Sequence, residues 1–596
     1  MQVYQAPLRD MRFVLHELHG DTALLTQTGE ALDRDLVDSI LEEAAKFTHD
    51  VLLPLNAKGD AEGCHFENGV VRTPEGFREA YRQFREGGWT AFSCDPAYGG
   101  QGLPEIVNKL VEEMICSANL AFSLYPGLSR GAYQLLHEHG TEELKSLYLP
   151  HLVDGTWSGT MCLTEAHCGT DLGLIRTRAV PDGEGAYRLT GSKIFISAGE
   201  HDLTENIIHF VLAKLPDAPP GTKGISLFLV PKFLPTPDGR PGARNGVLCT
   251  AIEHKMGING SATCQLTFED AKGWLIGAPH RGLPAMFTMM NSERLSVGIQ
   301  GLAIAEAAYQ SAVAYAKERL QGRALSGAKH PDKPADPILV HPDVRRMLLT
   351  MRAYTEGCRA LSLWVAAAID QSERGEGAAR EQAADFTALM TPIVKALFTD
   401  LGFEAANLAV QVYGGHGYIK DHGVEQYVRD ARIAQIYEGT NGIQALDLVG
   451  RKLPAHQGRY LRRFFHPVTA YIAERKTHRE LGKMAGALEK AVGALQLASA
   501  FIAEKGLRDA EEAGAAASDY LRLFGLTALG YMWMRMAEAA LGALARKPGP
   551  EEALFYQAKL TTARFFMERI LPQTAGLYLT IKSGKESMMA LPEAAF

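Results

Sequence analysis

Residues 436–444 read Ile436-Tyr437-Glu438-Gly439-Thr440-Asn441-Gly442-Ile443-Gln444. The stretch predicts a turn that opens a helix. Thr440 suits an N-cap, and Ile443, Leu446, Leu448 and Val449 follow at helical apolar spacing. Glu438 then stands beside free backbone N–H groups, with a flexible glycine as its neighbour. Such a carboxylate can act as a base that swings onto a bound substrate. Taken alone it is equally a charge near a helix N-terminus, worth roughly 0.3–1 kcal/mol. The rest of the chain decides between the two.

Upstream, the pattern is helical from Leu283 to about Leu453, in long Ala/Leu-rich segments. Before that the chain turns β-branched. Residues 158–164 read as a strand, 187–197 as a hairpin, and 207–213 and 224–230 as apolar strands. Residues 33–155 read as helices, with Leu36, Ile40, Leu41 and Ala44, and Ile106, Leu110 and Met114, at helical spacing around a turn at 95–100. The extension before them carries one apolar patch, Met11-Arg12-Phe13-Val14-Leu15. Pro454 marks a boundary, and residues 460–596 read as helical.

The expected fold class is α+β, mostly α. Its divisions are an N-terminal extension (1–32), an N-terminal α domain (33–158), a small β domain (159–277), an α-helical bundle carrying Glu438 (278–453) and a C-terminal helical domain (454–596). Segregated α and β blocks argue against an alternating βαβ fold. No Walker A sequence and no strand-linked GxGxxG occurs, which weighs against ATPase and Rossmann readings.

With 596 residues the chain is too long for one ordinary core. A hydrophobic content of 46% with 22% charged residues describes a soluble globular protein. The net charge of −8 gives no global pull toward nucleic acid, and none is expected as a partner. The charge is uneven. Residues 451–596 hold 21 Lys+Arg against 14 Asp+Glu, whereas residues 1–450 hold 40 against 55. A mildly basic C-terminal domain can face a membrane surface, but docking on the acidic body is the plainer expectation.

Eight scattered cysteines form no CxxC pair and have no accompanying His cluster. Reduced thiols, no metal and a cytoplasmic location are expected. The N-terminus lacks a basic-then-apolar signal pattern. Residues 521–544 carry Arg522, Arg535 and Glu538 and read as a buried helix, not a membrane span.

Four separated segments, in order, resemble the signatures of the acyl-CoA dehydrogenases. They are Leu163-Thr164-Glu165-Ala166-His167-Cys168-Gly169-Thr170-Asp171, Lys193-Ile194-Phe195-Ile196-Ser197, Val412-Tyr413-Gly414-Gly415-His416-Gly417-Tyr418 and residues 436–444. The match covers about residues 80–450, and the remainder resembles the longer bacterial members. The resemblance implies an FAD-dependent conversion of an acyl-CoA thioester to trans-2-enoyl-CoA, as in fatty acid β-oxidation. It implies a homodimer that passes electrons to an electron-transfer flavoprotein. A saturated thioester must lose an α-proton and a β-hydride, and its α C–H is a poor acid, so donors are needed at the thioester oxygen. The resemblance assigns these to a flavin ribityl hydroxyl and the Glu438 N–H. It makes the Glu438 carboxylate the base and sends the hydride to flavin N5.

By the same resemblance, Met161, Leu163, Thr164 and Thr170 reach the flavin ring and its hydroxyls. Phe195 and Ser197 stand where the family usually has Trp and Thr; Phe keeps a stacking face and loses an indole N–H. Arg319 resembles the arginine that reaches the pyrophosphate across the dimer. Gln411, Gly414 and Gly415 resemble the segment approaching the same phosphates, where only Gly lets backbone come close. Thr440 and Gly442 fall at the adenosine end. Thr170, Asn291, Arg294 and Gly439 are the substrate-binding candidates, with Arg294 supporting the thioester–CoA region. Glu293 stands where some branches of the family place their base. This chain carries both carboxylates, so Glu438 is the expected base and Glu293 the alternative. Two carboxylates near one carbon repel, and one holds its proton more tightly.

After Arg319 the sequence departs from the family. Gln321-Gly322-Arg323 and Lys329-His330-Pro331-Asp332-Lys333-Pro334 mark an inserted loop. Leu120, Phe122, Leu124 and Tyr125 either line the end of the acyl chain or pack the core. A flavin acyl-CoA oxidase using oxygen is the alternative within the enzyme class. A DNA-associated alkylation-response flavoprotein, using the basic C-terminal domain, is the alternative from another class.

Overall fold

The computed structural model describes residues 2–20 and 32–596. Met1 and residues 21–31 of the expected extension lie outside the described residues. Two helices that build the site come first, α1 (Glu105–Ala118) and α2 (Leu120–His139). Strands β1 (Trp157–Cys162), β2 (Ala186–Ser197), β3 (Asn206–Lys214), β4 (Ile225–Pro231) and β5 (Thr263–Ile276) follow. They join Arg178–Pro181 and Val247–Ile252 in one seven-stranded sheet. β4 pairs with both β3 and β5, so the sheet curls back on itself.

β3 and β4 are apolar on both faces because each face meets a different core. Val211, Ala213, Phe228 and Val230 fill the inside of the sheet. Ile208, Phe210, Leu212, Leu227 and Leu229 join the core shared with the helices. This is why the continuous apolar runs are strands and not helices.

The bundle consists of α3 (Gly282–Glu318), α4 (Pro342–Arg374), α5 (Gly377–Tyr413) and α6 (Val424–Ala434), ahead of the short α7 (Asn441–Asp447). α3 packs on α1, α2, α4 and α5. A Cβ on Gly301 or Gly402 would run into the backbone of the opposite helix, so these glycines allow α3 and α5 to cross in close contact. The helix continuing α5 to Tyr418 is apolar and long enough to cross a membrane, but most of it is buried inside the protein.

The C-terminal helices include α8 (Ala510–Ala545) and α9 (Pro550–Phe565). α8 packs on α4, α5 and α7, with Trp533 Nε1 donating to Ala353 O at 3.0 Å. The expected buried helix over 521–544 is the C-terminal part of α8. Some basic residues of this region meet the acidic body. Arg459 and Arg463 pair with Asp385 at 2.8 and 3.0 Å, and Arg522 with Glu404 at 3.3 Å.

A buried ion cluster joins five parts of the chain. Arg359 of α4 pairs with Glu113 of α1 at 2.5 Å, Glu306 of α3 at 2.8 Å, and Asp10 of the N-terminal segment. Lys559 of α9 pairs with the same Asp10 and with Glu356 at 2.7 Å.

Two local expectations change. Residues 187–197 are not a hairpin but lie in one continuous strand, β2. Gly191 is needed there for close packing, since a Cβ would lie 2.6 Å from Thr177 Oγ1. The N-terminal region is not purely helical. His65–Glu67 and Val70–Arg72 form a hairpin around Asn68-Gly69, both at positive φ.

Candidate active site

Glu438 occupies a strained turn. Its φ is 56° and that of Gly439 is 82°. A Cβ on Gly439 would lie 2.7 Å from Gln444 Nε2, so only glycine fits. Three side chains hold the turn. Lys395 Nζ donates to Gly439 O and Asn441 Oδ1, both at 2.9 Å. Gln444 Nε2 donates to Glu438 O and Gly439 O, both at 3.1 Å. Asn441 Nδ2 donates to Asp400 Oδ1 at 2.8 Å and Thr399 Oγ1 at 2.9 Å. Thr440 sits at the N-cap position, but its side chain makes no capping bond and the residue is exposed. Asn441 anchors the helix start instead. The Glu438 N–H meets no acceptor among the described residues.

Glu438 and Glu293 line one cavity of about 920 Å³, including its open mouth. Its walls come from α1, α2, α3 and the segment before α1, and Ser197 of β2 reaches it. Burial pushes Glu438 up to about 7, against the pull of Arg294 and Lys395. Glu293 is 7% exposed and makes no hydrogen bond or ion pair among the described residues. Burial and the nearby Glu438 charge hold its carboxyl well above the ordinary range, so it is the protonated partner. The two carboxylates expected at one carbon therefore meet, with their proton affinities split.

Arg294 is buried beneath the turn and does not line the cavity. It bonds Asn291 Oδ1 at 3.3 Å and faces Asp447 at 3.8 Å. Of the four apolar candidates, only Leu124 lines the cavity. Phe122 packs among Phe77, Tyr81 and Phe84, and Leu120 is core. The Tyr125 hydroxyl donates to Gly260 O at 3.1 Å and accepts from Ala262 N at 2.9 Å.

Beside the cavity, Phe195 stands 59% exposed at φ 58°, where the register of β2 against β5 slips. A bare aromatic ring in left-handed backbone, two residues from Ser197, offers a stacking face. Met161, Leu163 and Thr164 are half-buried and Thr170 is exposed on the adjoining loop. That loop is fastened to β2 by Lys193, which is fully buried. Lys193 Nζ donates to Leu163 O at 3.0 Å and to Glu165 Oε1 at 2.9 Å. Glu165 also accepts from Arg176 N at 2.7 Å and Thr177 N at 3.0 Å. Burial raises the Glu165 carboxyl, but Lys193 and these bonds outweigh it and bring it to about 2. Glu165, His167 and Cys168 have their ligating atoms within 4.8 Å of one another. Glu165 is engaged as described and His167 bonds Leu174 O at 2.9 Å.

Arg319, Gly414 and Gly415 meet elsewhere, in a groove of about 640 Å³ with Tyr315 and Gln321. Gln411 is exposed on the helix leading into it. The space above Gly414 and Gly415 is open, so a ligand can reach their backbone. The inserted loop closes on itself around the buried Asp336, which accepts from Ala324 N at 3.0 Å and His330 N at 2.7 Å. Its ends are joined by Gln321 N to Asp336 O and Asp336 N to Gly322 O, both 2.9 Å.

Four domain families match consecutive stretches. The acyl-CoA dehydrogenase N-terminal domain covers residues 37–156, the middle domain 160–271 and the C-terminal domain 280–453. A domain described as acetyl-CoA dehydrogenase C-terminal like covers 464–592. The chain is 41% identical to 3-methylmercaptopropionyl-CoA dehydrogenase of Ruegeria pomeroyi, over 98% of this chain and 99% of that protein. The chain belongs to the acyl-CoA dehydrogenase family. It is also 35% identical to a broad-specificity linear acyl-CoA dehydrogenase of Mycobacterium tuberculosis, over the full length of both. A Bacillus anthracis acyl-CoA dehydrogenase solved with FAD has the same fold, with a TM-score of 0.75 at 20% identity over 99% of this chain and 93% of that one.

For a family member, the residues that sequence reasoning missed are supports. Ser296, Val297 and Gln300 follow Glu293 at i+3, i+4 and i+7 and line the same cavity. Gln300 Oε1 accepts from the Tyr437 hydroxyl. Helical spacing from Glu293 was the available signal. Lys395 carries no such signal, because its partner at Gly439 lies 44 residues away in the chain.

Proposed function

We propose that this family member oxidises an acyl-CoA thioester between its α and β carbons, with Glu438 as the base for the α-proton. The observation that carries this is the cavity where Glu438, held near 7, faces a neutral Glu293. The acyl chain lies between α1, α2 and α3. The ionised Glu438 carboxylate takes the α-proton, while its free N–H is available to the thioester oxygen as negative charge develops there. Glu293, protonated, keeps a second negative charge away from that oxygen. Lys395 and Arg294 keep Glu438 from holding its proton too tightly.

FAD is the cofactor of this family, and when bound it supplies the oxidant that accepts the β-hydride. The residues present fit it. Phe195, Ser197 and the 163–170 loop would hold the ring, and the open glycine groove with Arg319 would take phosphates. Glu293 and Arg319 are separated by about 39 Å along α3, at 1.5 Å per residue. One FAD does not span this, so a second copy of the chain is proposed to contribute the groove. An electron-transfer flavoprotein is the proposed acceptor.

The test compares anaerobic flavin reduction in Glu438→Gln and Glu293→Gln. Glu438→Gln is expected to slow reduction by about 10²–10⁴-fold. Near wild-type reduction in that variant would overturn the assignment. Rapid reoxidation of the reduced enzyme by oxygen alone would identify an oxidase.

A further inference from the structure

Trp89 is common to the catalytic cavity and to a second hollow of about 1160 Å³, including its open mouth. Ile40, Phe47, Val51 and Phe92 give the second hollow an apolar part, and Ser39, Glu43, Lys46, Asp50, Gln83 and Gln101 also line it. The indole is seated but not bonded. A Cβ on Gly87 would lie 2.6 Å from Trp89 Nε1, so glycine lets the ring lie flat over the backbone. Phe92 stacks on the ring at 6.2 Å between centroids and 15° between planes. The indole N–H makes no hydrogen bond among the described residues. One aromatic ring, held by packing alone, is thus a wall shared by the cavity and the outer hollow.

We infer that Trp89 is the partition that sets the upper length of the acyl chain, and that the hollow behind it fits the distal methylenes of a straight chain once the indole is removed. The inference rests on the proposed acyl-CoA oxidation and adds which chains the cavity admits. A chain short enough to stop before Trp89 stays within the catalytic cavity. A longer one drives its end into the indole face, and overpacking of that kind is unfavourable. The shared Trp89 wall, and the apolar part of the outer hollow formed by Ile40, Phe47, Val51 and Phe92, fit hydrocarbon as the occupant.

The test measures kcat/KM for straight-chain thioesters from butyryl- to palmitoyl-CoA. In Trp89→Ala the palmitoyl-to-butyryl ratio is expected to rise at least roughly tenfold, at about fourfold per methylene newly buried. Adding Ser39→Trp, which refills the outer hollow, is expected to bring the ratio back. A ratio within about twofold of wild type in Trp89→Ala overturns the partition. Trp89→Leu, made in parallel, reads the same ratio if the alanine variant does not fold. Dissociation constants of the same thioesters, measured by calorimetry, give the ratio without turnover. Absence of turnover for every chain length in the wild type would count against the proposed function, and the binding ratio would still decide the partition.

Discussion

Glu438 shows how one carboxylate is tuned by its immediate neighbours. Backbone strain of about 1–3 kcal/mol persists there only because Lys395, Asn441 and Gln444 hold the turn. The acid limb of kcat/KM is expected near pH 7, since Glu438, as the proposed base, must be ionised to accept the proton. Lys395 lowers that value, so Lys395→Met is expected to move the limb to higher pH and to cut kcat/KM at neutral pH roughly tenfold. Stopped-flow flavin reduction across pH checks this. Stability runs the other way. The folded value of about 7 exceeds the ordinary 4.5, so the native state binds more protons between the two. Stability therefore falls as pH rises through that window. Glu438→Gln removes the cost and is expected to raise stability by about 1 kcal/mol above pH 7, the small size reflecting a half-exposed side chain. Thermal melts at two pH values measure it.

Among the elements, β2 links the cofactor face to the core. Its Lys193 and Glu165 form a buried pair under the loop that carries Leu163, Thr164 and Thr170. Lys193→Met leaves Glu165 buried and unpaired, a change worth about 3–5 kcal/mol. The purified variant is expected to carry several-fold less flavin per chain, read from its visible absorbance. Helical blocks, the strand runs and the Glu438 turn were legible because periodicity and turn chemistry are local signals. Thr190-Gly191 misled because glycine marks a turn and a close approach equally well, and only the packing against Thr177 separates them. Asn68-Gly69 carried a plain hairpin signal inside a helical stretch, and Val71 of that hairpin joins the core of the β sheet. Lys193 was visible as a residue, but its role depends on Glu165, 28 positions earlier.

Across the whole molecule, the ion cluster around Arg359 and Lys559 binds the C-terminal helices to the first ones. Burial pushes the Asp10 carboxyl up, but Lys559 and Arg359 outweigh it and hold it below the usual value. Its contribution to stability is thus present above the ordinary carboxylate range and lost as pH falls through the folded value. Lys559→Met is expected to destabilise the protein by up to about 3–5 kcal/mol, because Asp10 is left with Arg359 alone and Glu356 with Arg352 alone in a buried setting. The half-exposed Arg522–Glu404 pair is expected to contribute under about 1 kcal/mol. Denaturant melts of Lys559→Met and Arg522→Ala compare the two.

Asp10 and Lys559 are 549 positions apart, and Phe13 meets Phe555 edge-on at 5.5 Å between ring centroids. A chain growing from its N-terminus must therefore hold its first helical segment, Leu8–Arg12 with Phe13–His19, open until almost the last one has been made. A product stopped before residue 550 would keep every residue of the site, yet leave that first helix without its lid. Such a fragment is expected to be cut by protease within its first twenty or so residues, and a band pattern that spares them would show that the early helix closes by itself. The far end of the chain is, in this sense, the clasp that signs off the assembly of the catalytic half.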